Sequence, residues 1–101
     1  MTYGDVLSAL ADPTRRGVFE RLRRRPHTVG ELARLSRVSQ PAISQHLRVL
    51  ADAHLVTSTP DGTRRLYAID PDGLVGLRAW VEGFWTDALA RFKTLAEEDP
   101  S

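Results

Sequence analysis

Residues 36–50 read SRVSQPAISQHLRVL, and the way this stretch folds decides the reading of everything around it. Val38, Ile43, Leu47 and Leu50 form one helical stripe, because steps of three and four residues return to the same face. Gln40, Pro41, Ser44, Gln45 and Arg48 then point elsewhere, as a polar edge that could lie flat against a partner. Ser39 is suited to cap the helix. Pro41 is tolerated in the first turn, where its missing N–H has no intrahelical acceptor to lose. The apolar stripe carries the helix to about Ala53.

Just upstream, Thr28-Val29-Gly30-Glu31 is a capping box, in which threonine and glutamate satisfy each other's open backbone donors. It predicts a short helix through about Leu35, with residues 36–39 as a turn. Two short helices joined so tightly match a helix-turn-helix over residues 28–53. Further back, Tyr3, Val6, Leu7 and Leu10 recur at helical spacing, so a first helix spans residues 1–11. Asp12-Pro13 follows as a cap with proline at the first helical position. That second helix is expected to run to about Arg24, with Val18, Phe19 and Leu22 inward, and to be closed by Pro26, which disfavours helical geometry at Arg25.

Downstream, Leu55 to Thr59 is rich in β-branched residues, Pro60-Asp61-Gly62-Thr63 reads as a turn, and Arg64 to Ile69 resumes extended structure. This is a hairpin over residues 55–69, and a hairpin after a helix-turn-helix is a wing. Asp70-Pro71 repeats the cap-plus-proline device and opens a last helix over residues 71–98, with residues 99–101 expected to fray. The fold class is therefore mainly α with a small β-hairpin wing. It is a winged helix-turn-helix of about five helices and one two-stranded antiparallel hairpin, a single domain over residues 1–101.

The chain has no cysteine and three histidines. Disulfides, thiolate metal sites and a cysteine nucleophile are excluded. His27, His46 and His54 lack an accompanying acid cluster, so no metal and no cofactor are expected. There is no apolar run long enough to span a membrane and no secretory leader pattern, which points to the cytoplasm. The net charge of +1 hides an asymmetry: residues 1–69 carry eleven arginines against six acids, while residues 70–101 carry three basic residues against seven acids. A basic body suggests a polyanionic partner.

A recognition helix reads bases through residues near its N-terminal end. Gln40, Ser44 and Gln45 are the candidates, since glutamine can pair with an adenine edge and serine with any base. Ser39 and Pro41 shape that end. Arg64 and Arg65 at the wing tip suit phosphates or an adjacent minor groove. Arg15, Arg16, Arg37 and Arg48 could add phosphate contacts, and His46 either packs or bonds a phosphate.

The last helix is strongly amphipathic. Leu77, Val81, Phe84, Trp85, Ala88, Leu89 and Phe92 share a face that small or polar residues oppose. So small a body cannot easily cover Trp80, Phe84, Trp85, Leu89 and Phe92 together. Part of this face, with Tyr3 and Leu7 of the first helix, is therefore expected to form a homodimer interface.

Taken in order, Ala9-Leu-Ala-Asp-Pro-Thr-Arg-Arg16, Gly30-Glu-Leu-Ala33, Ser39-Gln-Pro-Ala-Ile-Ser-Gln-His-Leu47 and Gly62-Thr-Arg-Arg-Leu-Tyr67 resemble the ArsR/SmtB family of bacterial winged-helix repressors. The resemblance spans nearly the whole chain. It implies a homodimer joined through the first and last helices, which binds an imperfect palindrome in double-stranded DNA within its own or a neighbouring promoter and represses. Many members sense metals through a cysteine pair, where this chain has Glu31-Leu-Ala-Arg-Leu35, or through ligands on the last helix, which here has no histidine. Phe84 to Lys93 with Glu97-Glu98 resembles the metal-independent branch. Any small-molecule or protein inducer is left open. Two other classes compete: a winged helix used to bind protein, which the polar edge of the recognition helix opposes, and an enzyme, for which no phosphate loop, nucleophile elbow or HExxH pattern is present.

Overall fold

The computed structural model describes residues 3–98, so the expected fraying of residues 99–101 lies outside the described residues. The elements run α1 (Tyr3–Ala11), α2 (Pro13–Arg21), α3 (Val29–Ser36), α4 (Gln40–Asp52), β1 (Val56–Asp61), β2 (Arg64–Ile69) and α5 (Asp72–Glu98). Each of the first three boundaries that the sequence marks with a cap has that cap in place. Asp12 accepts from the Arg15 backbone N–H at 2.9 Å. Both arms of the capping box close, with Glu31 N–H on the Thr28 hydroxyl at 3.2 Å and Thr28 N–H on the Glu31 carboxylate at 3.1 Å. The Ser39 hydroxyl accepts from Ala42 N–H at 3.3 Å. Such caps are worth about 1 kcal/mol each.

Two boundaries differ from expectation by more than one residue, while α3 runs one residue longer, to Ser36, and β1 and α5 begin one residue later than expected, at Val56 and Asp72. Helix α2 stops at Arg21, three residues short of Arg24. Leu22 N–H bonds the Phe19 carbonyl and Arg23 N–H bonds the Glu20 carbonyl. These i→i+3 bonds tighten and end the helix, and Leu22, on the expected inward stripe, is buried. In the wing, Pro60 and Asp61 belong to β1 rather than to the turn, because Asp61 pairs with Arg64 and leaves Gly62-Thr63 as a two-residue loop. Gly62 has φ +64°, which suits the first position of a type II′ turn. Pro60 is tolerated there because rungs alternate between bonded and non-bonded outward from the turn. Its rung with Arg65 is a non-bonded one, so the missing N–H faces away from β2.

The hairpin is also held from its other side. His27 N–H donates to the Tyr67 carbonyl at 3.0 Å, and Tyr67 N–H donates back to His27 at 2.8 Å. His27 is buried, and its Nδ1 donates to the Arg25 carbonyl at 3.0 Å. A carbonyl only accepts, so the ring carries its proton on Nδ1.

Val6, Val18, Leu32, Ile43, Leu47, Leu50 and Leu55 are fully buried and draw α1 to α4 and the root of β1 together. The expected stripe of α4 is thus the buried one, with Val38 packed against its edge. Helix α4 ends in a Schellman turn: His54 is left-handed at φ 58°, Leu55 N–H reaches the Leu50 carbonyl at 2.9 Å and His54 N–H the Ala51 carbonyl at 3.0 Å. The start of α5 is tied to this turn, because Gly73 N–H donates to the His54 carbonyl at 2.9 Å. Beyond that anchor, Leu74 and Leu77 pack on the core. The helix then runs clear of the body, giving the described residues extents of 67 × 24 × 22 Å.

Candidate nucleic-acid interface

The polar edge of α4 is held outward by the burial of its opposite face. Gln40, Pro41, Ser44, Gln45 and Arg48 are exposed, as is Ser39 at the cap, while His46 is half-buried. His46 lies close enough to Asp12 to help stabilise its charge. The Asp12 carboxyl is held below its ordinary value first by the Arg15 backbone N–H and then by the charges of Arg15 and His46. Arg37 is exposed and left-handed at φ 56°. That conformation turns the chain from α3 into α4 while Val38 N–H closes on the Ala33 carbonyl.

The wing brings Arg64 and Arg65 to the same side as the N-terminal end of α4. Arg65 is steadied by donating to the Ser58 hydroxyl across the hairpin at 3.0 Å. A groove of about 400 Å³ runs between the wing, the start of α3 and the start of α4, with Arg64 and Arg65 facing Gln40 across it. Arg34 lines the same groove. It was not singled out from the sequence, because it stands thirty residues from the wing and only the fold brings the three guanidinium groups together. Gln40 is set against the Gly30 backbone: a Cβ built on Gly30 would lie 3.8 Å from its side-chain nitrogen. Glu31, at the groove's edge, is committed elsewhere. The Thr28 N–H and then the Arg25 guanidinium hold its carboxyl below the ordinary value.

Arg15 and Arg16, expected as phosphate contacts, also bond within the chain. The Arg15 guanidinium donates to the Ala9 and Ser8 carbonyls, and Arg16 donates to the Leu10 carbonyl at 2.9 Å. Both close the C-terminal end of α1, which has no basic residue in its own last turn. Each guanidinium keeps further donors free for a phosphate.

On α5, Leu77 packs on the chain's own core and Trp80 is half-buried, stacked on Tyr3 at 5.4 Å and edge-on to Phe84 at 5.0 Å. The rest of the predicted face is largely uncovered in the single chain. Val81, Phe84, Trp85, Leu89 and Phe92 are 51–74% exposed, Ala88 is exposed, and Tyr3 and Leu7 of α1 are 47% and 40% exposed. Among the described residues, no three histidines or carboxylates gather as a metal site, and no helix is long and apolar enough to cross a membrane.

Comparison with known proteins agrees with this fold. Residues 10–59 match the model of a helix-turn-helix domain. The HTH-type transcriptional regulator Rv2034 of Mycobacterium tuberculosis is 53% identical, over 90% of this chain and 85% of its own length. The transcriptional repressor SdpR of Bacillus subtilis is 30% identical over 79% of this chain and 89% of its own. A solved structure of an ArsR family transcriptional regulator superposes with a TM-score of 0.68 at 33% identity, covering 95% of this chain and 91% of that one.

Proposed function

Given that this chain belongs to the ArsR/SmtB family of winged helix-turn-helix transcriptional regulators, we propose that it is a homodimeric repressor. In this reading it binds an imperfect palindromic operator in its own or a neighbouring promoter, in the cytoplasm. Regulation of transcription through DNA comes with the family, whose members here are regulators rather than enzymes.

The observation that carries the finer reading is the groove between Gln40 on α4 and Arg64 and Arg65 on the wing. It sets potential base-reading side chains beside phosphate-seeking ones. Gln40, Ser44 and Gln45 would read base edges in the major groove. Arg34, Arg37, Arg48, Arg64 and Arg65 would fix the register on phosphates. The homodimer is supported by the uncovered aromatic face of α5. Two-fold symmetry would set the recognition helices about 34–36 Å apart, one turn of DNA.

Gel-shift titrations on the DNA upstream of the gene, run against random duplex and across salt, test the operator claim. If the dimer neutralises about 6 to 10 phosphates, affinity falls about 10³- to 10⁵-fold between 50 and 200 mM salt. An absence of preference over random DNA refutes it. Sedimentation showing a stable monomer at micromolar concentration refutes the dimer.

A further inference from the structure

We infer that the arginine-lined cleft at the C-terminal end of α2 is a binding site for a small organic phosphate bearing two or more negative charges, separate from the DNA interface. The cleft has a volume of about 760 Å³, within the range of small-molecule sites. Arg21, Arg23, Arg24 and Arg25 line it, against one carboxylate, Glu20.

Two of these guanidinium groups are already used by the fold. Arg21 donates to the Leu35 carbonyl at 2.9 Å, which ties the end of α2 to α3. Arg25 donates to the Pro26 carbonyl at 3.0 Å and holds Glu31 at 3.0 Å. The side chains of Arg23 and Arg24 make no hydrogen bond or ion pair among the described residues. The cleft therefore has two arginines committed to the fold and two uncommitted ones beside them.

The chemistry of the ligand follows from the donors. A planar carboxylate, with two oxygens, can be satisfied by the fork of a single guanidinium. A phosphate offers three oxygens and can take forked donors from two or three arginines at once. The one ring in the lining is that of the buried His27, so selection is by charge rather than by stacking on an exposed ring. A concave wall also suits a small anion better than the flat acidic surface of a protein.

The site adjoins the groove of the proposed DNA interface without sharing a lining residue with it, and Arg25 of the cleft holds Glu31 of the groove. Helix α2 turns its N-terminal end, at Asp12, toward His46 of α4, and its nine residues put the cleft about 12 Å further along. On the wing side, His27 in the cleft is bridged to Tyr67 at the groove's near edge, and the wing arginine Arg64 stands about 10 Å further along β2.

Isothermal titration of the full chain with sodium triphosphate tests the assignment, using the Arg23→Ala, Arg24→Ala and the Arg64→Ala, Arg65→Ala double variants. All four positions are exposed, and circular dichroism verifies folding. The wild type should bind one triphosphate per chain. The wing variant should bind it within about twofold of wild type, and the cleft variant should bind it about tenfold or more weakly. On one fixed duplex, the cleft variant should keep DNA affinity within about twofold and the same salt slope. The proposal is overturned by triphosphate binding that survives in the cleft variant, by binding lost in the wing variant instead, or by no saturable binding at all. It is also overturned if the cleft variant loses DNA affinity as the wing variant does, or if a hexaglutamate peptide binds the cleft more tightly than triphosphate.

Discussion

Replacing Gly73 by alanine tests how firmly the long helix is seated on the DNA-binding body. A Cβ at this position would lie 2.6 Å from the His54 carbonyl oxygen and 2.8 Å from that of Ala53, where ordinary contact begins at 3.4 Å. Both obstacles are backbone, held in the Schellman turn that ends α4, so neither can swing aside. The helix must retreat by the better part of an ångström, which strains or breaks the 2.9 Å bond from Gly73 N–H to His54. Overpacking costs about 1–3 kcal/mol and the lost hydrogen bond about 0.5–1.5 kcal/mol. Against this stands a helix-propensity gain of at most about 1 kcal/mol. The net destabilisation is about 2 kcal/mol, a fall in melting temperature of about 8–16 °C for a domain of this size. Thermal melts followed by circular dichroism at one protomer concentration measure it. Gly76→Ala is the control, since a Cβ there meets nothing within 4 Å, and it should raise stability by up to about 1 kcal/mol. A Gly73→Ala variant that melts at or above the wild type, or a Gly76→Ala variant that falls equally, would refute the steric account.

Gln40→Ala and Gln45→Ala should each cost about 1–3 kcal/mol on the operator where the glutamine makes a bidentate base contact, while binding to random duplex hardly changes; gel shifts on both DNAs separate the two. Removing Arg64 should instead weaken both equally and lower the salt slope by about 0.9 per phosphate lost. The Glu31 carboxyl is depressed by the Thr28 N–H and the Arg25 guanidinium, so its stabilisation is complete above its ordinary pKa of 4.5 and is lost as pH falls through the lower folded value. Glu31→Gln keeps a capping side chain but does not titrate, so urea melts between about pH 3 and 7 should show a shallower acid loss for the variant than for the wild type. Trp85→Glu with Leu89→Glu should yield a monomer in sedimentation velocity at concentrations where the wild type is dimeric, because two charges would be buried unpaired in an apolar contact.

Most of the fold was legible because its boundaries are written in local chemistry. The Asp12-Pro13, Thr28-to-Glu31 and Ser39 signals each act within four residues, and the stripe of Ile43, Leu47 and Leu50 needs only helical periodicity. What was illegible depends on partners distant in sequence. The placement of Pro60 in β1 follows from rung alternation, which no residue type announces. Arg34 joined the DNA-facing groove, and Arg15 and Arg16 turned back onto α1, through contacts that a list of exposed arginines cannot rank. The bridge between His27 and Tyr67 is purely backbone and leaves no side-chain pattern to read.

That bridge gives the wing its mechanics. A two-stranded hairpin fixed along only one edge would pivot at its base, but β2 is gripped by β1 on one side and by His27 on the other, at Tyr67. The wing is therefore a cantilever clamped at that rung, with only the span from Tyr67 to the Gly62-Thr63 tip free to bend. A lever so short sweeps a narrow arc, and the interval between its arginines and the reading edge of α4 stays nearly constant. If α4 and the wing contact DNA as proposed, the protein carries a fixed ruler: base pairs inserted between the wing contact and the major-groove contact of an operator half-site would have to be absorbed by bending of the DNA rather than by the wing.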